Sequence, residues 1–183
     1  SAITYEGGFK FDYALFSGNI GYFHRDGKNI IDWIKLPSET KWHTQNYTSL
    51  STDGFEMSLS SDLKDKVILI NSVFITYSRY WCSKQSGNFD SYYALDYIKN
   101  NLKFGINHQV VSKLSASWNF TWQQRAGDYI DASNVIKTYN PFWLIDFKLN
   151  WIASKYSIFA EATNIFNSKY VDIGNIKQPG RWI

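Results

Sequence analysis

The sequence has a single cysteine, Cys82, and only three prolines among its 183 residues. One cysteine excludes an internal disulfide and a zinc site built from cysteines. No run of about 18 apolar residues occurs, so no transmembrane helix is available. Residues 1–13 lack the basic start and apolar run of a signal peptide, and we therefore expect the chain to lack its natural start rather than to be cytoplasmic.

An excess of one charge is also missing, because 19 basic and 16 acidic residues are well mixed and give a net charge of +3. Without a basic stripe, nucleic-acid binding is not indicated. None of the motifs HExxH, GxSxG, GxGxxG or the P-loop occurs, so we do not expect an enzyme. His24, His43 and His108 are far apart in the sequence. We therefore predict neither a metal site nor a cofactor.

Aromatic residues, by contrast, make up 19% of the chain and include 8 Trp and 13 Tyr. Residues 114–123 alternate without a fault, with Trp118, Phe120 and Trp122 on one face and small polar residues on the other. A period of two is typical of a β-strand with unlike faces. The apolar face of such a strand meets either a protein core or a lipid bilayer.

The same alternation predicts an all-β, antiparallel up-and-down meander of about eight strands and no helix. The predicted strands cover residues 3–13, 18–33, 50–61, 67–77, 98–111, 114–123, 143–151 and 156–164. In the fourth strand, Val67 and Leu69 share the apolar face with Val73 and Ile75, and Asn71 is a polar exception on that face.

The connections between these strands alternate strictly between short and long. Short turns are expected at 14–17, 62–66, 111–113 and 152–155, and long loops at 34–49, 79–97, 124–140 and 165–181. Outer-membrane barrels have short periplasmic turns and long outer loops, whereas a soluble sandwich gives no reason for the alternation. The pattern therefore favours a transmembrane β-barrel in the bacterial outer membrane.

This orientation assigns a side to each strand residue. The side chains predicted to face the lumen are Glu56, Lys103, Asn119, Asp146 and Lys148. Those predicted to face lipid are Phe104, Trp118, Phe120, Ile145, Phe147 and Leu149. A lysine or arginine at the middle of the lipid face would cost about 2–4 kcal/mol, so the confinement of charges to one face supports this register.

The long loops hold aromatic residues that could contact a substrate. The candidates are Trp42, His43, Trp81, Tyr92, Tyr93 and Tyr129. Such side chains can stack on a flat ligand, and loops on a rigid scaffold often carry function. They can equally hold their own loops together, and the residues alone leave both interpretations open.

Three segments resemble TonB-dependent outer-membrane receptors. The run 164–170, Asn-Ile-Phe-Asn-Ser-Lys-Tyr, followed by Gln-Pro-Gly-Arg at 178–181, resembles the region that leads into the final strand of these receptors. Two weaker matches are Thr-Asp-Gly-Phe-Glu at 52–56 and Asn-Ile-Ile-Asp-Trp at 29–33. The closing loop is similar to that of vitamin B12 and siderophore receptors.

The resemblance implies a 22-stranded barrel around an N-terminal plug, with a short segment that binds TonB. Residues 1–183 would be the C-terminal segment of that barrel, without the plug and the final strand, whose first residues are Trp182 and Ile183. Active uptake of cobalamin, an iron-siderophore or a similar scarce nutrient is then expected of the whole receptor, and the segment alone would not transport. The implied partners are outer-membrane lipid, the remainder of the receptor and TonB, and the resemblance leaves a surface lipoprotein open.

Two other interpretations of the residues remain. A soluble or surface-anchored all-β module could bind carbohydrate through its loop aromatics, with its apolar faces packed against each other. A complete eight-stranded outer-membrane barrel could act as an adhesin or anchor.

Overall fold

Alternating residues form strands through most of the chain. The computed structural model describes residues 1–36, 38–64, 66–84, 90–91, 97–131, 133, 135–172 and 176–183. Its strands are β1 Ala2–Tyr13, β2 Phe16–Lys35, β3 His43–Asp62, β4 Ile70–Lys84, β5 Asp90–Ser91, β6 Ile98–Val111, β7 Leu114–Arg125, β8 Asp128–Ile130, β9 Ile136–Thr138, β10 Phe142–Ile152, β11 Ser157–Ala162, β12 Val171–Asp172 and β13 Ile176–Lys177. No helix in these ranges is long and apolar enough to cross a membrane.

The long strands form one sheet in the order β1-β2-β3-β4-β6-β7-β10-β11, and all neighbours in it are antiparallel. This order confirms the predicted meander. Within the described ranges, β1 and β11 lie at opposite ends of the sheet and do not pair with each other. The structure is therefore an open sheet rather than a closed eight-stranded barrel.

The sheet has no hydrophobic core. Ile34, Ala116 and Tyr139 are the buried hydrophobic residues of the described chain, whereas Phe9 is 83% exposed and Ile158 62% exposed. The main contacts between described strands join neighbours in the sheet or the two strands of a short hairpin, so no second sheet packs on either face of the described sheet. A soluble sandwich buries its apolar faces between two sheets, and this arrangement contradicts that interpretation.

The fourth strand begins later than its hydrophobic pattern predicted. Val67 and Leu69 lie in the turn before β4, where Val67 N–H donates to the Leu63 carbonyl and Leu69 has a positive φ of 74°. Asn71 lies at a register shift between Ile70 and Ser72, which is a β-bulge. The polar exception is explained because the alternation on the apolar face starts only after this bulge.

Strands β2, β3 and β4 extend further towards the long loops than predicted. Ile34 pairs with His43, so β2 ends at Lys35 and β3 begins at His43, inside the range 34–49 predicted for the first long loop. The added residues of β3 are mostly polar, and their backbone ladder with β2 holds them as a strand without an apolar stripe. Beyond β4, the two-residue β5 pairs with Ile34 and Lys35, the last residues of β2.

Candidate functional site at the long-loop end of the sheet

The register gathers one set of side chains on the polar face of the sheet. Asn119 faces Asp146 across β7 and β10, and Lys103 faces Thr121 across β6 and β7. Lys148 Nζ lies 3.1 Å from Glu161 Oε2 on β11. The residues predicted to face the lumen therefore share this face, namely Glu56, Lys103, Asn119, Asp146 and Lys148.

Two aromatic rings lie flat over glycines on the polar face. A Cβ on Gly54 would overlap the Phe23 ring, and a Cβ on Gly105 would overlap the Phe74 ring. Phe23 also packs against Tyr80 with 6.0 Å between ring centroids. Only glycine lets a ring approach the backbone so closely, so these rings lie along the wall instead of projecting from it.

The opposite face is apolar across β6, β7 and β10. Trp118 packs against Phe147 with 4.3 Å between ring centroids, and Phe104 against Phe120 with 5.7 Å. Ala116 faces Leu149 on the same side. The residues predicted to face lipid therefore share this apolar face, namely Phe104, Trp118, Phe120, Ile145, Phe147 and Leu149.

Polar side chains take over the apolar face near the long loops. Tyr22 OH donates to Asp53 Oδ1 at 2.5 Å, and His24 Nδ1 lies 2.9 Å from the same oxygen. His24 Nε2 lies 3.2 Å from Asp26 Oδ2. The histidine thus links carboxylates on β2 and β3. In the described part of the chain, no group of histidines, cysteines and carboxylates has the arrangement of a metal site.

Two predicted substrate contacts lie at the first long loop, where Trp42 is a loop residue and His43, contrary to the prediction, is the first residue of β3. Lys35 Nζ lies 5.3 Å from the centre of the Trp42 ring, and His43 Nδ1 lies 3.1 Å from Glu39 Oε2. Trp42 therefore contacts the end of β2, and His43, at the start of β3, contacts a residue of the first loop. These contacts leave the predicted substrate contact untested, because a loop that holds its own shape can also present a binding surface.

Trp81 lies outside any loop, contrary to the prediction. It is in strand β4 on the apolar face, with the Arg79 guanidinium carbon 4.8 Å from the ring centre, and it is 40% exposed. The strand continues past the predicted end at residue 77 because its backbone pairs with β3 up to Lys84. Tyr92 and Tyr93 lie outside the described residues.

The loop after β7 contains a contact network that sequence reasoning missed. Arg125 is buried, forms an ion pair with Asp172 and lies 5.8 Å from the centre of the Tyr139 ring. Tyr139 packs on Tyr129, with 5.0 Å between ring centroids. In the sequence, Arg125 is marked only by its position, because it continues the alternation of polar residues along β7 to the end of the strand.

Next to this network, the loop after β11 folds back over the polar face. The Tyr170 ring stacks on Phe142 with 4.2 Å between centroids and 28° between their planes. Burial, followed by the nearby charges of Asp172 and Asp146, raises the pKa of Tyr170. The phenol is therefore neutral at pH 7.

The short β8–β9 hairpin, in the loop between β7 and β10, carries a charged pair. Lys137 Nζ lies 2.7 Å from Asp131 Oδ2. The hydrogen bond from Lys137, followed by those from the Val135 and Ser133 backbone N–H groups, lowers the pKa of Asp131 from 3.8 to about 2. The carboxylate therefore organises the hairpin turn, because it accepts hydrogen bonds from both the side chain and the backbone.

One open sheet with an apolar and a polar face, and long loops at one end, is the geometry of a barrel wall. A family model described as TonB dependent receptor-like, beta-barrel matches residues 1–165. The chain belongs to the TonB-dependent receptor family. Barrels of this family lie in the outer membrane of Gram-negative bacteria, and this segment is part of such a barrel. No curated protein sequence matches the chain.

Solved structures of receptors share the fold. The FrpB iron transporter from Neisseria meningitidis (F3-3 variant) matches with a TM-score of 0.73 at 15% identity, covering 98% of this chain and 30% of that chain. The ferric enterobactin receptor PfeA from Pseudomonas aeruginosa (G324V mutant) gives 0.69 at 17% identity, with 98% and 29% covered. The copper transporter OprC gives 0.74 at 12% identity, with 98% and 30% covered. This receptor segment thus spans about 30% of the length of these structures, and identities this low show the fold alone.

Proposed function

We propose that the segment forms part of the wall of an outer-membrane receptor that imports a scarce nutrient by TonB-dependent active transport. The observation that carries this proposal is the single-layer sheet with an uncovered apolar face and a polar face rich in hydroxyls, amides and paired charges. Such a sheet is stable only where lipid covers one side and the remainder of the receptor occupies the other. Membership of the family supports the coupling to TonB.

In this proposal the apolar face contacts lipid and the polar face lines the lumen. Phe104, Trp118, Phe120, Ile145, Phe147 and Leu149 form the lipid contact, and the charged residues of the polar face meet the plug or the permeation path. Trp42 in the first long loop, His43 at the start of β3 and Tyr129 in β8 are the residues offered to the nutrient. Iron and copper carriers among the solved relatives favour a metal complex as the nutrient, and cobalamin is itself one.

Uptake by the complete receptor tests this proposal. Cells lacking their own receptors would express it and be supplied with ferric enterobactin, cyanocobalamin or a copper complex, each radiolabelled. Accumulation of at least one compound above the empty-vector level, and its loss when TonB is deleted, is the expected result. Accumulation that is unchanged without TonB would contradict active transport, and none with any compound would reject this nutrient class.

A further inference from the structure

The chain leaves β11, runs through a loop and returns beside the strand it left. Thr163 N–H donates to the Trp182 carbonyl at 2.9 Å, and Trp182 N–H donates to the Thr163 carbonyl at 3.2 Å. This exchange of both hydrogen bonds is one antiparallel rung, so the returning segment pairs with the chain after β11 at one defined register.

Asn164 fixes the point at which the chain leaves the sheet. It is 5% exposed and has a positive φ of 49°. Its Nδ2 donates to the Ser168 carbonyl at 2.9 Å, and its Oδ1 accepts from Ser168 N–H at 2.8 Å. Its backbone N–H donates to Asp146 Oδ1 on β10 at 2.8 Å. One side chain thus closes the turn, and one carboxylate holds that turn on the sheet.

Asn167 fixes the point at which the chain returns. Its Oδ1 accepts from Arg181 N–H at 3.0 Å, while Arg181 Nη1 donates to the Ile165 carbonyl at 3.4 Å. Asn167 has a positive φ of 55°. A Cβ on Gly180 would overlap Asn167 Oδ1, so any other residue there would displace the Asn167 side chain from this position. We call Asp146, Asn164, Asn167 and Arg181 the polar clamp.

The side-chain pattern of β11 gives this pairing little guidance. Phe159 lies on the polar face beside Lys148, whereas Ala160 and Ala162 lie on the apolar face. A slip of one residue normally exposes an apolar stripe to the wrong side, which is how most strands resist it. On the apolar face of β11 Ile158 is the one large side chain beside the two alanines, while Phe159 lies on the other face, so the apolar stripe is weak and another feature has to specify the register.

We propose that the polar clamp sets the register at which the strand beginning at Trp182 pairs with β11, and is thereby a determinant of barrel assembly. The clamp holds the chain that leaves the sheet and the chain that returns to it against each other and against β10. It does so next to the Thr163–Trp182 rung. It acts before any nutrient binds, so this role does not depend on what the receptor transports.

Disulfide cross-linking in the complete receptor, with Cys82→Ser as background, measures this register. Ala162→Cys with Ile183→Cys is the in-register pair, because residues beside a hydrogen-bonded rung approach closely enough for a disulfide. Ala160→Cys with Ile183→Cys reports a slip of two residues. With the clamp intact, we expect oxidation to link the first pair and not the second.

Removing the clamp should lower the ratio of the in-register disulfide to the slipped disulfide. Asn164→Ala loses two side-chain hydrogen bonds, each worth about a factor of five, so the ratio of in-register to slipped product should fall roughly 25-fold. Asn164→Gly keeps the positive φ and should show the side-chain loss alone. Lys148→Ala is the matched control, since it removes an ion pair between β10 and β11 without touching the clamp, and its ratio should stay within about twofold.

An unchanged ratio in assembled Asn164→Ala receptor would overturn the proposal. Should that variant not assemble, Asn167→Gly keeps the positive φ, removes the acceptor for Arg181 N–H and is measured in the same way. An equal fall in the Lys148→Ala control would also overturn it, because the effect would then be general loosening of β11. Asp146→Asn keeps an acceptor for Asn164 N–H, so the proposal also requires that this variant assembles normally.

Discussion

A lysine at position 120 or at position 119 puts the same charge on opposite faces of strand β7. Phe120 lies on the apolar face between Phe104 and Ile145, and its ring centroid is 5.7 Å from that of Phe104. Asn119, one residue earlier, lies on the polar face opposite Asp146. The two variants therefore place the lysine on opposite faces of the sheet but at nearly the same depth in the membrane. This makes Asn119→Lys the matched control for Phe120→Lys.

The expected cost follows from the depth of Phe120. Trp143 and Trp151 bound the apolar stretch of β10, and Phe147, midway between them, faces Trp118. Phe120 is two residues beyond Trp118, which at about 3.3 Å per residue and a tilt of about 45° is roughly 5 Å from the middle of the band. A lysine there costs about 3 kcal/mol, and the lost ring pair adds about 1 kcal/mol.

Urea unfolding of the complete receptor in lipid vesicles measures this difference, with heat-modifiable migration as the sign of folding. We expect Phe120→Lys to lower the free energy of unfolding by about 3–4 kcal/mol and Asn119→Lys by less than about 1 kcal/mol. Equal losses in the two variants would refute the assignment of the apolar face to lipid. A larger loss at Asn119 would reverse it.

Two further predictions concern the outer hairpin and the polar wall. The pKa of Asp131 is lowered to about 2, so its contribution to the β8–β9 hairpin is complete above about pH 4 and is lost as the pH falls towards 2. The protection factors of that hairpin's amides, which correct for the intrinsic pH dependence of hydrogen exchange, should fall over this interval, and in Asp131→Asn they should not change with pH. Gly105→Val would overlap the Phe74 ring and should lower the free energy of unfolding by about 1–3 kcal/mol, whereas Gly21→Ala meets no atom within 4 Å and should cost far less.

The strands that cross the apolar band were predictable because their two faces differ strongly. The prediction of β6 over 98–111 has the observed bounds Ile98–Val111, and β7 begins at the predicted Leu114. In both strands large apolar residues alternate with polar ones, so each residue has one favourable side. Where lipid and lumen impose different solvents, periodicity carries most of the structural information.

Outside that band the same reasoning failed, for a physical reason. The strand portion that starts at His43 is held by backbone hydrogen bonds to β2, and both of its faces tolerate polar residues. Trp81 was predicted to lie in a loop because the predicted fourth strand ended at residue 77. The ion pair of Arg125 with Asp172 joins residues 47 positions apart through a folded loop, and no local pattern encodes such a contact.

The candidate site was predictable in its faces and not in its contacts. The alternation along each strand correctly separated the residues predicted to face the lumen from those predicted to face lipid, because the two groups lie on opposite faces of the sheet. The clamp around Asn164 was visible as a motif, yet its partners Asp146 and Arg181 became evident only from the folded turn. Substrate contact by Trp42, His43 and Tyr129 stays a prediction.

The central claim is that this sheet is a membrane wall with lipid on its apolar face. Spin labels placed one at a time at residues 115–122 of the complete receptor in vesicles test it directly, through collision with oxygen, which partitions into lipid, and with a water-soluble nickel chelate. Oxygen accessibility should peak at 116, 118, 120 and 122, and nickel accessibility at the residues between them. Absence of this period of two, or the opposite phase, would contradict the account.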